Sequence, residues 1–553
     1  MAQESHSLPS VPKSLTAMND PGAKTRKGIR FWLVLTSLLV SLFLAILENS
    51  AMGTALPTIV QDIHGNQFLW VLLVYGLTAA ALVPLSGSFA EIFGRRPVMF
   101  LALFFFAAGS AIGGAAQSMN MLLAARAIQG AGGGSIYALT QIILSDIVTL
   151  QERGKFSGLF GFTWAIAGGI APIVGGGLAK QTTWRWLFYL NIPIAGVAMF
   201  LILVVMKLPT PPGTFVEKVK KVDFIGQTLI MGSTAACVIA LAWGGVTFPW
   251  KSAHVLVPLV VGLVGLVAFG VYEAFFCHNP IVPLKIISNR TSISGYLQIF
   301  LVVFIFTNYV YYLPVYYQAC KDASPIASGV DVFPIAFTTA PISVIAGASV
   351  TATKHYRPQL WVGWALTTVG FGLLITIRED TARAVSIGYQ ILPGIGMGMV
   401  YYTTLFPVLA PLSVTYNAHA LSLSMYLRSL SQVWGVALGG TILQNGLENK
   451  LPTSFTSVFN TDAGVAYSII PQIPHLQQPL KDQVRAAFAQ SLAGNWIMLL
   501  ALSGLGLAST LMMKALPLHT DRDERWAMEG DKAPDPSSGT TSEKQADIDV
   551  NGA

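Results

Sequence analysis

The stretch GSFAEIFGRRPVMF, residues 87–100, places one acid and two arginines between two strongly apolar runs. The run before it, LWVLLVYGLTAAALVPL (69–85), and the run after it, VMFLALFFFAAGSAIG (98–113), each approach the ~20 apolar residues that one helix needs to cross a bilayer. Gly87 and Gly94 permit a tight turn and close packing. The stretch therefore predicts a short charged turn that joins two membrane-spanning helices.

The composition of the whole chain agrees with this interpretation. Of the 553 residues, 53% are hydrophobic and only 11% are charged, and the mean hydropathy is +0.60. Soluble globular proteins carry about 25% charged residues, so the charge here is too sparse to coat a water-facing surface of this size. The net charge of +7 is scattered between apolar runs, which argues against nucleic-acid binding. Cys237, Cys277 and Cys320 have neither metal-site nor disulfide-framework spacing.

Fourteen apolar segments are long enough to be membrane spans. Helices are favoured over barrel strands because the segments are continuously apolar, whereas barrel strands alternate over about 10 residues. A helix also satisfies all of its own backbone polar groups in lipid. The sequence thus predicts an all-α membrane protein. The predicted spans are 30–52, 69–88, 98–117, 121–145, 157–178, 185–207, 223–245, 255–276, 293–317, 328–351, 358–377, 383–411, 421–445 and 489–514.

Lys and Arg are distributed unequally between the two sides of these spans. If the N-terminus is cytoplasmic, the inner segments hold 22 of them and the outer segments 9, with Arg126 and Arg428 inside spans, which accounts for all 33. By the positive-inside rule we expect both termini to be cytoplasmic. The two polar ends, 1–29 and 516–553, are predicted to be disordered cytoplasmic tails. The sequon at Asn289 then lies inside and is expected to stay unglycosylated.

The charged turn also resembles the loop 2–3 signature of the major facilitator superfamily, G-x-L-a-D-r-x-G-R-[RK]. Glu91 replaces the usual aspartate, which keeps the charge and lengthens the side chain. In that superfamily this loop forms a charge-relay latch on the cytoplasmic side that stabilises the outward-open state. The residues on the signature positions are Gly87, Glu91, Gly94, Arg95 and Arg96.

Two stretches resemble the helix 1 and helix 4 signatures of the fourteen-span drug:proton antiporters in that superfamily. LENSAMGTALPTI (47–59) matches the first, with Glu48 in place of aspartate. LLAARAIQGAGGG (122–134) matches the second, with Arg126, Gln129 and Gly130 on its positions.

GLFGFTWAIAGGIAPIVGG (158–176) resembles the helix 5 signature of the same antiporters. Ala167 and Ala171 replace two of its glycines, a small-for-small change. WRWLFYLNIPIAG (184–196) and RSLSQVWGVALGGTILQN (428–445) are also typical of the group. The helix 5 signature residues are Gly158, Pro172, Gly175 and Gly176.

The resemblance covers about residues 30–515 and implies a major facilitator fold. It implies a six-helix bundle at 30–207, a linker with two extra helices at 208–276 and a second six-helix bundle at 277–515. The implied function is a proton-coupled fungal-type efflux pump for small amphipathic organic compounds, such as a secondary metabolite, toxin or drug. The alternative is a siderophore–proton exchanger or a facilitator-type importer on the same fold.

Further expectations follow from that resemblance. The chain would not be an enzyme, and the proton gradient would supply its energy without a cofactor. Its partners would be a small-molecule substrate, protons and the lipid bilayer, with no nucleic acid, and the protein would be a monomer. We expect the plasma membrane, with a vacuolar or vesicle membrane as the alternative. No G-x-x-x-x-G-K-[ST] motif occurs, so the sequence does not support ATP-driven transport by this chain.

Glu48 and Arg126 are charged residues inside predicted spans, where a charge costs roughly 2.5–3.5 kcal/mol on insertion scales. Each lies about four or five residues from the outer end of its span, so at about 1.5 Å per residue their depths agree and they can pair. Burial disfavours the charged form of a carboxyl group. We therefore predict that Glu48, with Arg126 and Gln129, couples protons or contacts substrate. A structural hydrogen bond of Glu48 and snorkelling of Arg126 to the surface are the alternatives.

Arg428, Tyr312 and Tyr316 are further candidates for the lining of a cavity. Arg428 lies within the thirteenth predicted span, and the tyrosines lie near the outer end of the ninth. An aromatic lining suits bulky organic substrates, whereas an interfacial tyrosine belt is the alternative. No metal site is predicted. A membrane receptor is a third class of function, which charged residues inside the spans disfavour only weakly.

Overall fold

A computed structural model describes residues 27–63, 68–245, 248–452, 455, 470–519 and 524–526. These residues are helical almost throughout, and the pairing of extended backbone among them is limited to one isolated bridge between Gly244 and Phe248. The prediction of an all-α protein is confirmed. Most of the two predicted tails, 1–26, 520–523 and 527–553, lies outside the described residues.

The first six helices pack into one bundle. Helix α4 lies between α2 and α3, and α1 packs along α5. The apolar side chains buried between residues 31 and 208 form its core. Ser118 and Thr149 start α4 and α5, because each hydroxyl accepts a hydrogen bond from a free backbone N–H of the first turn. The helices are α1 Ile29–Ile63, α2 Phe68–Phe93, α3 Arg95–Gly114, α4 Met119–Ile147, α5 Leu150–Gln181 and α6 Arg185–Val205.

Two further helices, α7 Phe224–Trp243 and α8 Ala253–Phe275, pack side by side after a short helix, Phe215–Lys220. Helix α7 contacts α2 of the first bundle. Helix α8 has a mean hydropathy of 2.5, yet only 17% of its most apolar window is buried. Such an exposed apolar surface is stable only in lipid.

The second bundle follows, and two of its helices are interrupted. Its core is formed mainly by residues 286–518. The continuous helices are α9 Arg290–Lys321, α11 Arg357–Leu374, α13 Asn417–Lys450 and α14 Leu480–Ser509. The interrupted ones are α10, made of Pro325–Asp331 and Phe333–Thr353, and α12, made of Arg383–Gly388, Ile391–Tyr401 and Leu405–Leu409.

Within the described part of the chain, each of these fourteen helical segments overlaps one predicted span, so the structure is consistent with a fourteen-span protein. Ten of them are long and apolar enough by themselves to cross a membrane. Some bounds differ from the prediction: α1 ends at Ile63 instead of 52, and α14 begins at Leu480 instead of 489. Both extensions carry charged residues, so the apolar pattern of the sequence ends before the helix does. The helix continues because its backbone hydrogen bonding does not depend on apolar side chains.

The start and the end of the described chain lie together at one end of the bundles. Lys27 Nζ forms an ion pair with Glu152 at 2.9 Å, and Gln151 Nε2 donates to the Leu518 carbonyl at 2.8 Å. We call this end, defined by Lys27, Gln151, Glu152 and Leu518, the terminal face. The two bundles touch towards this face. A Cβ on Gly87 would lie 2.5 Å from Ser422 Cβ.

A second close approach joins α5 of the first bundle to α10 of the second. A Cβ on Gly154 would overlap the Gly347 carbonyl, and the reverse also holds, so only glycine allows the two backbones to come this near. The contact between the bundles is therefore tight at this point.

Residues 516–519 and 524–526 of the predicted C-terminal tail are described by the structure and pack against the helices. The large apolar side chains of Leu518 and Trp526 pack against the protein and are each only 3% exposed. The segment is held by polar contacts as well, since Tyr356 Oη donates to the Lys514 carbonyl at 2.6 Å. We call residues 513–519 and 524–526 the C-terminal strap.

Candidate functional site

Glu48 and Arg126 form an ion pair inside the first bundle. Arg126 Nη1 donates to Glu48 Oε1 at 3.0 Å, and both side chains are fully buried. Helix α1 supplies the carboxylate and α4 the guanidinium. The depth argument from the sequence predicted this pairing, and the structure has it. The functional role of the pair stays a prediction at this point.

Two other helices complete the hydrogen bonding of this pair. Asn191 Nδ2 of α6 donates to Glu48 Oε2 at 2.7 Å, so each carboxylate oxygen has its own donor. Gln129 Oε1 accepts from Arg126 Nη1 at 2.6 Å, and Gln129 Nε2 donates to Ser110 Oγ of α3 at 2.8 Å. Four helices therefore meet at one buried polar cluster. We call Glu48, Arg126, Gln129, Ser110 and Asn191 the polar cluster.

Arg126 has anchors that do not depend on Glu48. Its Nε donates to the Val71 carbonyl at 3.1 Å, and its guanidinium carbon lies 4.5 Å from the centre of the Tyr75 ring. Together with Gln129, these contacts hold the cation if the carboxylate becomes neutral. These contacts keep Arg126 in place when Glu48 takes up a proton, but they do not neutralise its charge, and its Nη2 has no hydrogen-bond partner among the described residues.

Glycines of α4 make room for Tyr75. A Cβ on Gly130 would overlap the Tyr75 carbonyl, and a Cβ on Gly133 would overlap the Tyr75 hydroxyl. The repeated glycines of the helix 4 stretch therefore bring α2 within direct contact of α4. This packing places the aromatic ring under the guanidinium of Arg126.

The charged turn at 87–100 forms a compact network at the terminal face. Arg95 Nη2 pairs with Glu91 Oε1 and its Nε with Asp146 Oδ2, both at 3.0 Å, while its Nη1 donates to the Ala90 carbonyl at 2.8 Å. Gly94 has φ +99°, a conformation that favours glycine, and α3 begins at the next residue. We call Glu91, Arg95 and Asp146 the latch.

The remaining signature residues of the turn contact other elements. Arg96 is less buried than Arg95, and its Nη2 donates to the Leu203 carbonyl at 2.5 Å. Gly87 lies against Ser422 of the second bundle. The turn therefore ties the first bundle together and also borders the contact between the bundles.

The C-terminal strap reaches the latch. The ring of Trp526 covers the Arg95 guanidinium at 3.4 Å, and Arg95 is only 1% exposed. The same strap donates or accepts hydrogen bonds with both bundles, through Tyr356 and Gln151. The C-terminal strap thus covers the latch and contacts both bundles.

The helix 5 signature lies in the element that faces the second bundle. A Cβ on Gly158 would lie 3.0 Å from Val344 Cα of α10, and Gly175 is buried within α5. Pro172 and Gly176 fall in the same helix, but their surroundings lie outside what the structure describes. The small residues at the described positions let α5 and α10 approach closely.

An aromatic cavity lies between the bundles. Trp164 of α5 packs against Phe306 of α9 at 5.6 Å, and Phe306 packs against Tyr401 of α12 at 5.9 Å. Tyr401 and Tyr402 are neighbours at 5.2 Å, where α12 is interrupted. With Gly161, Ala336, Thr339, Ala340 and Ser343, they line a small, partly open cavity of about 20 Å³.

Arg428 of α13 lies directly beside this cavity. Its guanidinium carbon is 4.4 Å from the centre of the Tyr401 ring and 5.8 Å from that of Tyr402. Its Nη2 donates to the Tyr401 carbonyl at 2.6 Å, at the end of the half-helix Ile391–Tyr401. The side chain is 7% exposed.

Tyr312 and Tyr316 lie away from the aromatic cavity. Both rings are buried in the core of the second bundle and are not among the described residues that line the aromatic cavity. Their hydroxyls donate to the Val436 carbonyl at 2.6 Å and the Arg378 carbonyl at 2.9 Å, respectively. Hydroxyls that satisfy main-chain carbonyls hold helices together, so both tyrosines support the bundle, and contact with substrate stays a prediction.

Asp223, Glu273 and Cys277 form a small cluster outside the polar cluster and the cavity. Asp223 Oδ1 accepts from the Gly226 N–H at 2.9 Å and caps α7, while Glu273 Oε2 accepts from the Val282 N–H at 3.2 Å. The Cys277 thiol donates to Asp223 Oδ2, and burial together with this hydrogen bond raises the pKa of the thiol to about 11. The cluster therefore fastens the ends of α7 and α8.

Several residues of these sites were missed at the level of sequence. Asn191 carried a signal, because it is a polar residue in the otherwise apolar sixth predicted span. Asp146 was noted in the sequence as an acid near the end of the fourth span and a further candidate for proton coupling, but its pairing with Arg95 was not predicted. Tyr75 and Trp526 carried none, because an aromatic residue in a span or a tail is ordinary.

Comparison with known proteins agrees with this architecture. The sequence profile of the Major Facilitator Superfamily matches residues 38–436. The chain is 36% identical over 541 residues to "Efflux pump FUS6" of Gibberella fujikuroi, covering 96% of this chain and 97% of that one. It is 34% identical over 532 residues to "Acurin A biosynthesis cluster MFS-type transporter" of Aspergillus aculeatus, covering 92% and 93% of the two chains.

Solved structures share the fold. The human organic anion transporter MFSD10 (TETRAN) superposes with a TM-score of 0.58, covering 88% of this chain and 100% of that one, at 16% sequence identity. At this identity the likeness concerns the fold alone. The profile match and the two relatives extend across most of the chain. The chain therefore belongs to the Major Facilitator Superfamily of membrane transporters.

Proposed function

We propose that this protein exports small amphipathic organic compounds, of the secondary-metabolite or toxin class, in exchange for protons. The names of the relatives support export and a biosynthetic context. The aromatic cavity between the bundles supports an amphipathic substrate, because ligand sites combine apolar and aromatic walls with a few polar groups. Glu48 is the proposed proton carrier.

The buried pair of Glu48 and Arg126 is the observation that carries proton coupling. A fully buried carboxylate in a membrane protein is costly and marks a functional site by default. Charged Glu48 uses both of its donors, Arg126 and Asn191, whereas the neutral acid needs fewer of them. Proton uptake therefore weakens the tie between α1 and its neighbours.

Packing offers a route from this tie to the contact between the bundles. Helix α1, which carries Glu48, packs along α5, and α5 packs against α10 of the second bundle. A change in the attachment of α1 can thus bias the α5–α10 contact near the terminal face. Transport requires the protein to alternate between inward-open and outward-open conformations. A group that favours one conformation when protonated and the other when deprotonated therefore couples proton movement to substrate movement.

The setting of the protein belongs to the same proposal. The Lys and Arg bias supports a cytoplasmic terminal face, with both ends of the chain inside the cell. We propose a monomer in the plasma membrane that uses the proton gradient and no cofactor. The latch then lies on the cytoplasmic side and stabilises closure of that side.

The test replaces Glu48 by Gln, which keeps the shape but cannot carry a proton. First, untargeted metabolite analysis of medium from deletion and overexpression strains identifies the exported compound. Purified wild type and Glu48→Gln are then compared in proteoliposomes for gradient-driven transport and for counterflow of that compound. We expect the rate of gradient-driven transport to fall by roughly tenfold or more, because one charge-assisted interaction is worth about that factor. Counterflow should persist, because it does not require the proton gradient.

Glu448→Gln is the matched control, because Glu448 is an exposed carboxylate at the end of α13. It should leave both rates unchanged. An unchanged gradient-driven rate in Glu48→Gln would move proton coupling to another acid. Accumulation of the compound inside the overexpressing cells would instead indicate import.

A further inference from the structure

We propose that the exported compound is an organic acid whose carboxylate pairs with Arg428 while its apolar part lies in the aromatic cavity. This inference rests on the proposed export function and adds the chemical class of the substrate. It makes Arg428 a specificity-determining residue.

Arg428 is a buried cation inside the second bundle. It lies eleven residues after the start of α13, about 16 Å along the helix axis. The side chain is 7% exposed, and within the described part of the chain no carboxylate lies within ion-pair distance of it. Arg95 and Arg126, two other buried arginines within helices, both have carboxylate partners.

Arg153 shows what a purely structural buried arginine looks like here. It also forms no ion pair shorter than 4 Å, but it lies in the field of Asp146 and donates to the Gln141 carbonyl at 3.1 Å. Arg428 forms no ion pair in the described chain, and its guanidinium lies against the two tyrosines of the aromatic cavity. Its charge is therefore left for a ligand to neutralise, because an uncompensated buried charge is strongly unfavourable.

The hydrogen bonds of Arg428 leave a donor free. Its Nη2 donates to the Tyr401 carbonyl, which explains its place at the interruption of α12. Its Nε is buried without a hydrogen-bond partner among the described residues. A guanidinium offers five N–H donors in a planar fork that matches a carboxylate. Arg153 Nε is also buried without a partner in that part of the chain, so the orphaned nitrogen alone does not set Arg428 apart. What sets Arg428 apart is the cavity beside its guanidinium, which offers a place for an acceptor.

The cavity beside this cation suits the apolar part of such a compound. Trp164, Phe306, Tyr401 and Tyr402 form a continuous aromatic wall with ring-to-ring distances of 5.2–5.9 Å. Arg428 does not itself line the cavity, but it touches the two tyrosines that do. If the apolar part of a compound lies against these rings, a carboxylate on the same compound can reach the guanidinium on the other side of Tyr401 and Tyr402.

A matched pair of probes tests this assignment. Purified full-length protein in lipid nanodiscs is titrated with 1-pyrenebutyrate and with its neutral primary amide, and binding is followed by fluorescence. Wild type should bind the acid about tenfold more tightly than the amide, the effect of one charge-assisted pair. Arg428→Gln should bind both probes alike, and Arg428→Lys should retain part of the preference for the acid.

These variants separate specificity from a structural role. Gln can still donate to the Tyr401 carbonyl, so a residue that only caps the half-helix would keep the wild-type preference in Arg428→Gln. Thermal unfolding of each variant checks that the protein is folded. Equal binding of acid and amide by wild type, or no binding of the acid, would overturn the proposal.

The chemistry of the exported compound gives an independent outcome. An exported compound without an acidic group would also overturn the assignment, while leaving proton-driven export intact. Failure of the Glu48→Gln test, in contrast, would remove proton coupling and leave the preference for an acid untouched. The two proposals can therefore fail separately.

Discussion

Replacing Trp526 by Ala should release the latch and open the terminal face. Trp526 covers the Arg95 guanidinium at 3.4 Å, and both side chains are at most 3% exposed. A desolvated cation–π contact is worth about 2 kcal/mol. If the contact exists only while the terminal face is closed, its loss raises the ratio of open to closed protein by roughly 30-fold, since 1.4 kcal/mol is a factor of ten.

The assay measures the distance across the contact between α5 and α10. Spin labels are placed on cysteines introduced at Lys155 and Lys354, which are exposed on either side of that contact. The three native cysteines, Cys237, Cys277 and Cys320, are free thiols and are first replaced by serine or alanine. Pulsed dipolar spectroscopy then gives the populations of short and long distances, and we expect the long-distance fraction to rise in Trp526→Ala.

Two controls make this measurement specific. Trp526→Phe keeps an aromatic ring and should give a smaller shift, because the indole is the best cation–π partner. Trp186→Ala removes a tryptophan that is 54% exposed and should change nothing. An unchanged distance distribution in Trp526→Ala, with the protein folded, would refute the idea that the C-terminal strap stabilises closure.

The remaining predictions concern the latch, the helix packing and the orientation. Asp146→Asn should lower turnover more than Glu91→Gln, because their side chains are 4% and 16% exposed; equal turnover of the two variants in proteoliposomes would contradict this. Gly130→Val should destabilise the protein by about 1–3 kcal/mol through overlap with Tyr75, measured by thermal unfolding, while Gly76→Ala, with open space around it, should be tolerated. Tags at both termini should resist external protease in intact cells, and cleavage of either tag would reverse the orientation.

The sequence predicted the helices well because a bilayer imposes a simple requirement. Each span needs enough apolar residues and no unpaired backbone groups, and both conditions are visible in one dimension. It predicted bounds less well where a helix leaves the apolar layer, as at the end of α1 and the start of α14. There the helix continues on backbone hydrogen bonds, which composition does not report.

The sequence could not assign helix faces, because lipid is as apolar as the protein interior. Helix α8, the most apolar span, is mostly exposed, whereas the less apolar α9 is mostly buried. The tyrosines of α9 illustrate this. Tyr312 and Tyr316 were expected at a cavity, but they lie in the bundle core with their hydroxyls on main-chain carbonyls.

By itself the sequence determined the membrane helices and the family signatures, and it predicted that Glu48 and Arg126 can pair. These follow from local properties: apolar length, glycine positions and the depth of a charge within a span. Only the tertiary structure decided that Asn191, 143 residues from Glu48, donates to its second oxygen, and that Trp526 covers Arg95. It also decided that Arg428 lies beside an aromatic cavity without a carboxylate partner in the described chain. Such contacts depend on which helix faces meet, and that choice is made by packing across the whole bundle.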